Sequence, residues 1–182
     1  MTLGHEHDHD PEAIRRRLAE GPRVSYLRDW IYGGIDGAVT TFAIVAGVAG
    51  AQLSSTIVVI LGLANLLADG FSMAAGNYQG TRSEHDLRAH LAAVELRHIE
   101  EHPVGERQEI REIFRRKGFT GELLDRIVTV ITGERGRWVR TMLSEEYGLP
   151  TEDRQPLRAA TTTFSAFLIC GAAPLAPYLL GV

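Results

Sequence analysis

The chain has 182 residues, 23 Asp and Glu against 19 Lys and Arg, and a formal net charge of −4. A slightly acidic balance argues against nucleic acid as a partner, and the lone Cys170 excludes an intramolecular disulfide. The mean hydropathy of −0.05 would suit one ordinary soluble domain. That average hides two populations: 30–80 and 159–182 are almost free of charge, whereas 81–158 is densely charged with both signs.

The tail, residues 1–29, alternates His5, His7 and His9 with Glu6, Asp8 and Asp10 before an Arg15-Arg16-Arg17 cluster. The pattern is that of a disordered segment with weak metal affinity. Gly21-Pro22 ends any helix that starts at Pro11. No apolar signal segment precedes the first long apolar run, so that run must serve as its own insertion signal.

Between positions 30 and 80 the only charged side chains are Asp36 and Asp69. The stretch holds two spans, 30–51 and 55–78, each matching the about 20 residues needed to cross a bilayer. Only Gln52-Leu53-Ser54 joins them, which forces an antiparallel hairpin. Arg23 and Arg28 precede the hairpin and Arg82 and Arg88 follow it, while its tip has none. The positive-inside rule then puts the N-terminus and the 81–157 segment in the cytoplasm.

An Asp at the centre of a membrane helix costs roughly 2.5–3.5 kcal/mol on insertion scales. Two of them in adjacent spans point to a protein that moves a cation. Asn65, Asp69 and Met73 stack at i, i+4 and i+8 on one helix face, and Asp36 sits at a similar depth in the antiparallel partner. Carboxylate, amide and thioether at one level suit Fe or Mn better than Ca or Mg. The plainer account makes Asp36 an interfacial cap, Asp69 a hydrogen-bonded buried acid and Met73 packing. Span one is also crowded with small residues, including Gly33-x-x-x-Gly37 and Ala46-x-x-x-Gly50, faces that favour dimers or belong to any Gly-rich membrane helix.

The charged segment, 81–157, shows helical periodicity. Leu87, Leu91 and Val94 form one stripe, Ile110, Ile113 and Phe114 a second after Pro103-Val104-Gly105. Leu123, Leu124, Ile127, Val128 and Ile131 form a third, and Trp138, Val139, Met142 and Leu143 a fourth. On these helices Glu95 and His98 stand at i, i+3, as do Glu106 and Glu109, and Met142 and Glu146 at i, i+4. Such pairs project side by side and could chelate, or form an ordinary solvated face. A third apolar run, 158–182, can span, with Pro174 and Pro177 kinking or ending its outer part. Ending there, the sequence reads as a fragment or a shortened form.

Several motifs resemble the vacuolar iron transporter family. They are Asp36-Gly37 opening span one, the run from Leu61 through Asn65 and Asp69-Gly70 to Ser72-Met73, Gly76-Asn77-Tyr78, and Pro174-Leu-Ala-Pro-Tyr178. The resemblance implies a five-span core, a cytoplasmic metal-binding domain between spans two and three, and a homodimer with the pathway at its interface. It also implies export of Fe²⁺, sometimes Mn²⁺, in exchange for protons. Asp36 and Met73 match pathway ligands of the family, and Glu95, Glu106, Glu109, Met142 and Glu146 match its soluble metal-binding positions. The chain departs at three places: Asn65 replaces a membrane glutamate, His98 a glutamate and Leu143 a methionine. Asp69, one turn from Asn65, would restore the lost carboxylate about 5.4 Å along the axis.

The reading is therefore an all-α membrane protein with three transmembrane helices and a helical cytoplasmic metal-binding domain. It is a divalent metal transporter and no enzyme, without a prosthetic group. Its partners are the lipid bilayer, Fe²⁺ or Mn²⁺, protons and a second copy of itself, in the plasma (inner) membrane if the source is bacterial. The competing reading is a membrane-anchored metal buffer or sensor that does not transport.

Overall fold

The structure, a computed structural model, describes residues 10–21, 24–150 and 154–180, and His5, His7 and His9 lie outside them. All regular elements among the described residues are helical. α1 (Pro11–Glu20) is capped by Asp10, whose carboxylate accepts from the Glu12 N–H at 3.0 Å. α2 (Leu27–Gly50) and α3 (Ser55–Glu101) follow. Then come α4 (Pro103–Arg116), α5 (Gly121–Thr132), α6 (Arg135–Glu145) and α7 (Pro156–Ala172). A 3₁₀ turn, Ala173–Leu175, and the short α8 (Ala176–Leu180) close the order; Pro174 and Pro177 interrupt the last apolar run because each lacks the N–H that would bond the carbonyl four residues back.

Three helical stretches are long and apolar enough to cross a membrane: Leu27–Gly50, the apolar part of Ser55–Glu101, and Pro156–Leu180. The helix that carries span two does not stop at the expected edge of the span, Tyr78; it continues without a break as one 47-residue helix to Glu101. The joining residues explain this, since Gln79-Gly80-Thr81 contains no proline, and a single glycine lowers helix propensity by only about 1 kcal/mol against alanine. Pro103 supplies the stop, because the residue before a proline disfavours the α region.

The chain forms two compact units: Met1–Ala75 with Glu152–Val182, and Gly76–Thr151. In the first, Val48, Val58, Leu66, Phe167 and Leu175 make the buried core, with Met73 packed against it. Ile35, Val39, Phe42, Leu67 and Phe71 point outward, as lipid-facing side chains do. The Gly33-x-x-x-Gly37 face, read above as a candidate dimer seat, is occupied within the chain. A Cβ built at Gly33 would stand 2.3 Å from the Thr163 carbonyl oxygen, and one at Gly37 would stand 2.4 Å from that of Phe167. These two glycines let α2 and α7 touch backbone to backbone. Gly47 and Gly50, by contrast, face open space.

The α2–α3 hairpin closes as the short linker demands. Gln52, at φ 58°, takes the left-handed position past the helix end. Leu53 N–H donates to the Val48 carbonyl and Gln52 N–H to that of Ala49, at 3.1 and 3.0 Å, the paired bonds of a Schellman motif. Where α2 and α7 begin, Arg154 Nη2 donates to Asp29 Oδ2 at 2.5 Å, and Tyr26 Oη accepts from the Gln155 N–H.

The second unit has its own core of Ile99, Ile110, Leu124, Val128, Ile131, Trp138, Val139 and Met142. The predicted stripes are therefore partly displaced. Leu87 and Leu123 are exposed, and from α3 it is Ala92 and Ile99 that reach the core.

Candidate metal centres

In the first unit the helical period brings Asn65, Asp69 and Met73 to one side of α3, as their spacing requires. Asp36 and Asp69, both half-buried, lie within electrostatic reach of one another across α2 and α3. Asn65 also bonds to α2 through its amide nitrogen. Its Nδ2 donates to Thr40 Oγ1 at 3.2 Å and to Thr41 Oγ1 at 3.4 Å, while Thr40 Oγ1 donates to the Asp36 carbonyl at 2.9 Å. Thr41 is fully buried. The two threonines were missed in the sequence reading, although adjacent hydroxyls in an otherwise apolar span were a usable signal. Met73 is partly buried and packs against the apolar core.

In the second unit the core holds two acids. Glu95 is 1% and Glu106 5% exposed, and Met142 in the core of the same unit is fully buried. Burial of a carboxylate without a partner is costly, and here two oxygens, Glu95 Oε2 and Glu106 Oε2, are buried with no hydrogen-bond partner. The two carboxyls approach closely enough to hydrogen-bond when one of them carries a proton. Burial, then the charges of Glu109, Glu95 and Glu146, push the Glu106 carboxyl up to about 7. Glu146 is raised as well, by burial and then by Glu109 and Glu95, with His98 opposing. His98 Nδ1 lies 3.6 Å from Glu106 Oε1.

The five titratable residues predicted from α3, α4 and α6 thus share one electrostatic neighbourhood. They do not share one depth: Glu95 and Glu106 are buried, whereas Glu109 and Glu146 are exposed. Among the described residues no three His, Cys, Asp or Glu side chains are arranged to hold one metal ion. What the set offers is excess negative charge, two unmatched buried oxygens and a soft sulfur, a donor chemistry that suits a transition metal.

Tyr147 was not among the predicted residues. Its hydroxyl donates to Glu95 Oε1 at 2.8 Å. Burial and the Glu95 hydrogen bond push its pKa well above the usual phenol value, so it stays a donor.

Comparison with known proteins places these features in context. A family model described as the VIT family matches residues 27–182. The chain is 36% identical over 157 residues to the vacuolar iron transporter of Toxoplasma gondii, covering 85% of this chain and 52% of that protein. It is 34% identical over 155 residues to vacuolar iron transporter 1 of Arabidopsis thaliana, covering 85% and 62% respectively. Against vacuolar iron transporter 1 of rice it is 32% identical over 179 residues, covering 98% and 69%. The chain therefore spans between half and two-thirds of the length of most of these relatives.

Proposed function

The chain belongs to the VIT family, and from that premise we propose that it carries Fe²⁺ or Mn²⁺ out of the cytosol across a membrane in exchange for protons. The observation that supports this most is the buried Glu95–Glu106 pair, whose two unmatched oxygens lie in a neighbourhood of net negative charge. A divalent cation held there by Glu95, His98, Glu106, Glu109, Met142 and Glu146 would satisfy both oxygens and relieve the repulsion. In this reading the unit is cytoplasmic and collects the ion.

The ion then crosses by Asp36, Asp69 and Met73. The Asp36–Asp69 pair supplies two carboxylates in a setting where an uncompensated charge is expensive. Metal and proton compete for the same oxygens, so occupancy by one displaces the other, which is the requirement of an antiporter. Asn65, read from sequence as an auxiliary ligand, would act through its amide oxygen, while its N–H groups tie α3 to α2 at Thr40 and Thr41. The protein acts as a homodimer, with the open Gly47–Gly50 side of α2 as the candidate seat. No covalent step or prosthetic group is needed.

Radiolabelled Mn²⁺ flux into proteoliposomes with an opposing proton gradient is the test. Uptake that follows the gradient and is abolished by Asp36→Asn is the expected result. Binding without flux would leave the second reading, a membrane-anchored metal buffer. That reading draws its support from the second unit, whose donors lie within Gly76–Thr151 alone.

A further inference from the structure

Glu95 is the most deeply buried acid of the second unit, and its two oxygens are treated unequally. Oε1 accepts from Tyr147 Oη at 2.8 Å, across 52 positions of sequence, while Oε2 accepts from nothing. The phenol reaches this point because of how α6 ends. Past Glu145, the Glu146 and Tyr147 N–H groups both turn back to the Met142 carbonyl, at 2.9 and 3.4 Å. Gly148 then takes φ 63°, a backbone that residues with a Cβ rarely adopt, and Leu149 N–H closes on the Leu143 carbonyl at 3.0 Å. Tyr147 is thus folded back along the last turn of α6 toward the C-terminal part of α3.

The choice of donor matters chemically. A lysine or arginine at this place would neutralise Glu95 and remove the attraction for a cation. A phenol satisfies one oxygen, fixes the carboxylate plane and leaves the full negative charge in place. Groups that hydrogen-bond a ligating carboxylate typically change metal affinity by about 10–100-fold when removed.

We propose that Tyr147 is the positioning residue of the metal centre in the second unit: its hydroxyl holds Glu95 by Oε1, so that Oε2 alone is presented to a divalent cation. This rests on the reading that Glu95 and Glu106 ligate the metal. Without the hydroxyl, Glu95 would be free to rotate, and each incoming ion would have to order it first.

The experiment is Mn²⁺ calorimetry on the full chain in detergent, as a double-mutant cycle. Tyr147→Phe removes one oxygen and is expected to weaken Mn²⁺ binding about tenfold; it also leaves the buried Glu95 Oε1 without its donor, so the metal-free protein should melt at a lower temperature. Glu95→Asp keeps the charge but draws the carboxylate back from the phenol by one methylene. In that background Tyr147→Phe should have no further effect, because the hydroxyl acts only through Glu95. An equal loss in both backgrounds, or none in the unsubstituted chain, overturns the role of Tyr147 while the metal site stands. Failure of the unsubstituted chain to take up Mn²⁺ overturns the site itself, and the role of Tyr147 with it.

Discussion

Asn65 and Thr40 bond α3 to α2 inside the membrane-spanning unit, with the amide as donor and the hydroxyl as acceptor at 3.2 Å. Thr40 in turn donates to the Asp36 carbonyl, so the chain of polar contacts runs from Asn65 to the backbone of the acid itself. An amide engaged in this way fixes where Asp36 stands relative to Asp69, one turn further along α3. The division of labour is then a positioned carboxylate pair, with Asn65 as its tie.

The first prediction follows. Asp69→Asn should abolish Mn²⁺ flux in proteoliposomes while leaving Mn²⁺ binding by the second unit intact. Asn65→Ala should retain measurable flux and lower stability by about 1 kcal/mol, the net worth of an ordinary hydrogen bond, read from thermal unfolding in detergent. Normal flux in Asp69→Asn would return the ion to Asp36 alone.

The second concerns pH. The Glu106 carboxyl is raised from its ordinary value of 4.5 to about 7 in the fold. A raised acid gives a stabilising contribution that is whole below 4.5 and is lost as pH climbs toward 7, because across that window the folded state binds more protons. The metal-free protein should therefore melt at a higher temperature at pH 5 than at pH 8, and Glu106→Gln should flatten the difference. Metal must displace that proton, so Mn²⁺ affinity should rise with pH through about 7. Calorimetry in buffers of different ionisation enthalpy would count the protons released.

The third tests the α2–α7 contact. Gly37→Ala would place a methyl 2.4 Å from the Phe167 carbonyl oxygen. Backbone cannot yield as a side-chain tip can, so the substitution should cost about 3 kcal/mol, the upper end of the usual penalty for overpacking. Gly47→Leu, on the open side of the same helix, should leave the monomer's melting temperature unchanged. If that face seats a second copy, cross-linking in detergent should show the dimer weakened by Gly47→Leu.

The fourth concerns Asp29, which is 4% exposed, and its partner Arg154. Arg154→Met removes the ion pair from a buried acid and should cost about 2–3 kcal/mol, below the figure for a fully buried pair because the arginine side chain is 21% exposed. Adding Asp29→Asn should recover part of the loss, since removing both charges is milder than removing only the arginine. Denaturant midpoints of the two single variants and the double variant decide it.

The spans and the all-helical character were legible because period, length and absence of charge all agree over long windows. The sequence divided the chain where charge begins, after Tyr78, but a change from apolar to charged residues does not end a helix, and α3 runs through it to Glu101. In the second unit, i, i+3 and i, i+4 spacing offered the acids as candidates and the family resemblance selected among them; the structure brings five titratable groups into one field. Spacing could not say that Glu95 and Glu106 would be buried while Glu109 and Glu146 stay exposed, since that depends on which faces α4 and α6 turn inward. Tyr147 was invisible for a similar reason: its partner is 52 residues away, and its approach depends on a turn at Gly148. The glycines of α2 show the opposite error. A small-residue face announces close approach to something, but Gly33 and Gly37 meet α7 of the same chain.

That contact also bears on inheritance. Every residue reachable from glycine by a single base change carries a Cβ. At Gly33 and Gly37 a Cβ falls within 2.4 Å of a backbone oxygen, so no missense change at either codon is sterically silent. At Gly47 and Gly50, where a Cβ meets nothing within 4 Å, the same changes meet no steric objection from this chain. Two glycines a few turns further along one helix thus differ in mutational tolerance, and sequence variation at Gly47 and Gly50 would report on whatever lies against that side from outside the chain.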